Sequence, residues 1–112
     1  MTTSEIKLKI TVDENHLPHK IEWEAPDANE GSICKSMMLA LWDEKENNTM
    51  RIDLWTKDML VGEMKRFFLQ SLGGMNETLR SATNDNEWFN EVETTLQVLA
   101  EKLKREEAEG KH

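Results

Sequence analysis

The spacing of hydrophobic positions changes once along the chain, near Thr56, from a period of two to one of about 3.6. Before that point, Ile6, Leu8, Ile10 and Val12 alternate with Lys7, Lys9 and Thr11, the pattern of a half-buried strand that Asp13, Glu14 and Asn15 then break. A second alternation follows Leu17 and Pro18: Ile21 and Trp23 face one way, Glu22 and Glu24 the other, and Pro26 to Gly31 reads as a polar loop. Met37 to Trp42 is apolar at nearly every position, which predicts a strand covered on both faces and central in its sheet. After a polar turn from Asp43 to Asn48, Met50, Ile52 and Leu54 alternate with Arg51, Asp53 and Trp55, so the third and fourth strands form a hairpin.

Beyond Thr56, Leu60, Met64, Phe67, Phe68, Ser71 and Leu72 draw one stripe along an amphipathic helix. Gly73 and Gly74 are expected to weaken or end it, because glycine gives up the most backbone freedom on becoming helical, and a further short helix is expected over Asn76 to Ala82. Asn84 to Asn86 supply capping candidates for a last helix, on which Phe89, Val92, Leu96, Leu99 and Leu103 form a narrow seam at alternating spacings of three and four. That seam is too short for an independent coiled coil, so it either docks on the protein's own sheet or pairs with another subunit. The expected fold is α+β: a four-stranded antiparallel sheet followed by two or three C-terminal helices packed on one face. It forms a single domain, with the sheet in residues 1–56, the amphipathic and short helices in 57–83, the last helix in 84–108 and a tail in 109–112.

Composition narrows the function. Hydrophobic residues make up 38% and charged residues 32% of the 112, and the four Trp and three Phe fall in periodic segments, so the chain is expected to fold. A formal charge of -8 repels phosphate backbones and anionic lipid at long range. The densest basic group, Lys102, Lys104 and Arg105, sits among Glu101, Glu106, Glu107 and Glu109 and reads as a solvated helix end. Neither nucleic acid binding nor direct membrane insertion is therefore expected. Met1 to Glu5 have none of the features of a signal peptide, and the single Cys34 allows no internal disulfide and suits a reducing compartment. A cytoplasmic location is expected.

Candidate chemistry is sparse. His16 and His19 flank Leu17 and Pro18, with Glu14 and Cys34 nearby in sequence, but no second ligand pair completes a zinc site. Cys34 lies in an apolar segment and reads as a small hydrophobe, not a nucleophile. Gly73 and Gly74 lack the lysine of a phosphate loop and the spacing of a dinucleotide fold. No catalytic residue, cofactor, metal or small-molecule substrate is expected. The large side chains instead suggest a binding surface, with Trp23, Trp42 and Trp55 on or beside the strands and adaptable methionines such as Met37, Met38 and Met50 among them. A strand that is apolar on both faces needs cover that one helical layer cannot give, and a partner chain is the simplest source.

The runs Ala40-Leu41-Trp42-Asp43, Met50-Arg51-Ile52-Asp53-Leu54-Trp55-Thr56-Lys57 and Gly62-Glu63-Met64-Lys65-Arg66-Phe67-Phe68 resemble the gliding motility GldC family of Bacteroidota. Gly73-Gly74-Met75, Leu79-Arg80-Ser81-Ala82-Thr83, Ser4-Glu5-Ile6-Lys7 and Lys20-Ile21-Glu22-Trp23 extend the resemblance over almost the whole chain. It implies an accessory protein of a cell-envelope gliding apparatus linked to protein secretion, without known enzymatic activity. A looser likeness, in topology and acidity only, is to the export chaperone SecB, and implies the alternative of holding unfolded export substrates. The expected function is a noncatalytic, homo-oligomeric protein-interaction subunit whose partners are other proteins of the gliding or secretion apparatus. Its candidate contact residues are Arg51, Asp53 and Trp55 on the fourth strand and Lys65, Arg66 and Arg80 on the helices.

Overall fold

Five strands precede two helices in a computed structural model of the chain, which describes residues 1–110. The strands are β1 (Lys7–Val12), β2 (Pro18–Ala25), β3 (Glu30–Cys34), β4 (Ser36–Asp43) and β5 (Asn48–Trp55), and the helices are α1 (Val61–Thr83) and α2 (Asn86–Ala108). They fall into two compact units, Met1–Met59 and a second that starts at Leu60.

The strands do not form the expected single four-stranded sheet. One antiparallel sheet has the order β1-β2-β3, and a separate antiparallel sheet contains β4 and β5 alone. The added strand is β3, which the sequence pattern hides because Glu30, Gly31 and Ser32 have the composition of a loop. Pairing with β2 recruits it, and Gly31 is needed there: a Cβ at that position would sit 3.0 Å from the Trp23 carbonyl oxygen. The segment before it makes one 3₁₀ turn, Pro26–Ala28, closed by Asn29 in the left-handed region. The apolar β4 is likewise not central. The chain passes from β3 to β4 through Lys35 alone, and β4 takes only β5 as a neighbour.

Register sorts the side chains of the three-stranded sheet cleanly. Ile10, Ile21 and Cys34 lie abreast on one face with Leu8 and Trp23, while Lys7, Lys9, Lys20, Glu22 and Glu24 occupy the other. Ile21, in the middle strand, is 0% exposed and centres this face. The β1–β2 turn is held by Asp13, whose carboxylate accepts from the amides of Asn15 (2.8 Å) and Leu17 (3.0 Å), with His16 in the left-handed region. The β4–β5 turn repeats the device: Asp43 accepts from the Glu46 amide at 2.6 Å, and Asn47 takes the positive φ.

α1 runs unbroken for 23 residues through Gly73 and Gly74, so the helical part comprises two helices and no separate short one. The glycines lower its intrinsic stability without ending it, because packing against α2 holds the turns on both sides. The seam of α2 meets α1. Phe89, Leu96 and Leu103 are buried; Arg80 stacks 3.9 Å from the Phe89 ring centroid; and Phe68 and Leu69 line a shared groove with Leu99 and Leu103. Buried Asn76 crosses this interface, donating to the Phe89 carbonyl at 3.1 Å. Asn84, left-handed, stops α1, and Asp85 caps α2 by accepting from the Trp88 amide at 2.9 Å.

A Cβ at Gly73 or Gly74 would meet nothing within 4 Å, and neither residue has a positive φ. Replacing either by Ala should therefore raise stability by about 0.5–1 kcal/mol in denaturant unfolding. A loss of stability instead would show that another surface packs directly on the glycines.

Candidate protein interaction site

Directly opposed residues of an antiparallel pair share a face, so the β4–β5 register divides this sheet into two distinct surfaces. On the first, Met37 faces Leu54, Leu39 faces Ile52 and Leu41 faces Met50, an apolar surface without interruption. Met37, Leu39 and Leu54 are half-buried, whereas Leu41, Ile52 and Met50 are exposed, Met50 at 53%. On the second, Ser36 faces Trp55, Met38 faces Asp53, Ala40 faces Arg51 and Trp42 faces Thr49. Trp42 is 68% and Trp55 60% exposed. Two indoles thus stand on opposite strands near opposite ends of one face, an arrangement that area burial alone does not favour in a free chain.

Between the indoles lies a planar ion pair. The Arg51 guanidinium donates to both Asp53 carboxylate oxygens, at 3.0 and 2.9 Å, along one face of β5. These hydrogen bonds push the Arg51 pKa up. An exposed pair two residues apart adds little to stability, but it presents a fixed fork of charge beside Trp55.

A groove of about 350 Å³ opens next to this face, lined by Asp13, Leu17 and Pro18 from the β1–β2 turn and by Asp53, Trp55 and Lys57. Sequence reasoning missed it, because Asp13 and Asp53 lie far apart in the chain and their alternation patterns carry no trace of the meeting. The Asp13 carboxyl is held below its usual value, first by the Leu17 amide, then by the Asn15 amide, with further help from Lys57 and His19.

Of the six contact residues expected from sequence, Arg51, Asp53 and Trp55 come together on one face of β5. Lys65, Arg66 and Arg80 lie in the other unit and are engaged within the helix pair. Lys65 bonds Glu106 at 2.9 Å, Arg66 bonds Glu107 at 3.2 Å, and Arg80 bonds Glu77 at 2.7 Å while stacking on Phe89. Trp42, which was not among the six, is more exposed than Trp55; its position opposite Thr49 follows only from the register.

The residues weighed for chemistry lie as follows. Cys34 is half-buried on the inner face of β3, with its thiol 3.7 Å from the Ile21 carbonyl oxygen and its pKa raised by burial. His16 sits in the β1–β2 turn and His19 in β2. Among the described residues no group of three or more His, Cys, Asp or Glu gathers to hold a metal ion, and no helix is long and apolar enough to cross a membrane.

A family model, gliding motility-associated protein GldC-like, matches residues 18–105, which include all of the elements from β2 to α1 and most of α2. Searches of curated proteins and of solved structures returned no match.

Proposed function

The chain belongs to the GldC-like family of gliding motility-associated proteins, and from that premise we propose that it is a noncatalytic, protein-binding subunit accessory to the gliding and associated secretion machinery. It acts in the cytoplasm and as a homo-oligomer. The observation that carries this reading is the exposure of large apolar side chains on both sides of the β4–β5 sheet, Leu41, Met50 and Ile52 on one and Trp42 and Trp55 on the other. A single layer of helices can cover one side of such a sheet, which leaves the other for a partner. Aromatic and arginine side chains at the centre of a surface are the usual carriers of binding energy.

Exposed methionines favour a second reading, a cytosolic chaperone like SecB, because Met50 and Met75 offer flexible, polarisable surface for varied substrates. Affinity capture of the tagged chain from a gliding bacterium separates the two. Stoichiometric recovery of components of the gliding or secretion apparatus is the expected result. Recovery of assorted unfolded export substrates, together with suppressed aggregation of an unrelated unfolded protein, would support the chaperone instead. Capture of neither class would sink both readings.

A further inference from the structure

We propose that β5 is the self-association edge of this protein, pairing antiparallel with β5 of a second copy about a twofold axis through Ile52. This rests on the homo-oligomeric reading above and names its interface. β4 and β5 form a sheet of only two strands, so the outer side of β5 carries a row of backbone N–H and C=O groups with no strand beside it among the described residues, and the β1–β2 turn faces only its Asp53–Trp55 end, across a groove. A sheet that small is marginal alone, and open edges of this kind are templates for pairing with another chain.

The sequence of β5 is self-complementary about Ile52. In an antiparallel pair centred there, Arg51 faces Asp53 of the second copy, Met50 faces its Leu54, and Ile52 faces itself. Opposite charges meet on one face, apolar side chains on the other. The two Arg51–Asp53 pairs, each already formed within a strand, would lie side by side as an alternating square of charge. The apolar face of Leu39, Leu41, Met50 and Ile52 would continue across the axis into a sheet of four strands, β4-β5-β5-β4.

β1, an edge strand of the three-stranded sheet, is built the opposite way. Self-pairing of β1 about Leu8 sets Lys7 against Lys9 of the second copy, and pairing about Lys9 sets that lysine against itself. Lysines on an edge strand are a common device against such pairing. β3 is short and contains Gly31. β4 could pair symmetrically about Leu39, but no pair of opposite charges within the strand would set that register.

The test uses the full chain with Cys34→Ser as background. Light scattering at micromolar concentration should give a mass above 13.0 kDa. Ile52→Cys should form an intermolecular disulfide in air, since a residue on the axis lies about 4.5–5.5 Å from its mate, while Leu39→Cys and Ile33→Cys should not. Arg51→Asp and Asp53→Arg should each weaken self-association roughly tenfold or more. The double exchange R51D/D53R should restore it, and unchanged urea unfolding midpoints of the single variants should show that they fail at the interface and not through misfolding. An oligomer that cross-links at Leu39→Cys but not at Ile52→Cys, or that tolerates both single reversals, overturns the β5 edge and leaves homo-oligomerisation standing. A strict monomer overturns both.

Discussion

Ile21→Ala should lower folding stability by about 3 kcal/mol, the largest loss expected from any single truncation in the strand-forming unit. Ile21 is the one large side chain among the described residues that is wholly shielded from water. It sits in the middle strand of the three-stranded sheet, flanked by Ile10 and Cys34 and in line with Trp23. Removing three carbons there forfeits their transfer free energy and leaves a cavity that a β-sheet backbone cannot close, a combination that costs about 2–5 kcal/mol in well-packed sites. Ile33 provides the control. It lies on the opposite face, beside Glu22, and is 64% exposed, so Ile33→Ala should change stability by less than about 0.5 kcal/mol. Urea unfolding of both variants is the measurement. Equal effects at the two positions would mean that the inner face of this sheet is not the core.

Trp55→Ala should abolish motility in a complementation assay while leaving the fold nearly intact. The ring is 60% exposed on the same face as the Arg51–Asp53 pair, and it lines the groove closed by Asp13, Leu17 and Pro18. Truncating an exposed indole costs little folding energy, about 1 kcal/mol or less, because little of its area left water on folding. At a protein interface the same truncation commonly costs 2 kcal/mol or more, close to thirtyfold in affinity. Two measurements on one variant are therefore informative: its unfolding midpoint and its ability to restore spreading in a strain lacking the native protein. Lost spreading with a normal midpoint supports a recognition surface. A collapse in stability would mean that the ring is part of the core, and full activity with full stability would remove Trp55 from the proposed site.

Local pattern alone determined a good part of this molecule. The alternations from Ile6 to Val12, around Ile21 and Trp23, and from Met50 to Trp55 were sufficient for β1, β2 and β5, because a half-buried strand writes its two faces directly into the sequence. The 3-4 seam of α2 and its Asp85 cap were legible for the same reason: both depend on residues within a turn or two of one another. The acidic charge and the resemblance carried by the runs around Trp42, Trp55 and Phe67 were equally local, and the family match bears out that resemblance.

What the tertiary structure decided were the questions that depend on distant neighbours. Whether Glu30 to Cys34 is loop or strand was settled by β2 beside it, since its own residues have no strong preference. Gly73 and Gly74 stay helical because contacts between α1 and α2 outweigh a local cost of about 2 kcal/mol for the pair. The seam of α2 packs on α1, a pairing no periodicity encodes, because an apolar stripe specifies that it will be covered and not by what. The division into sheets of three and two strands has the same origin. Hydrogen bonds between strands join residues far apart in the chain, and only their pairing shows that β4, apolar on nearly every side chain, ends up at an edge with both of its faces partly open to water.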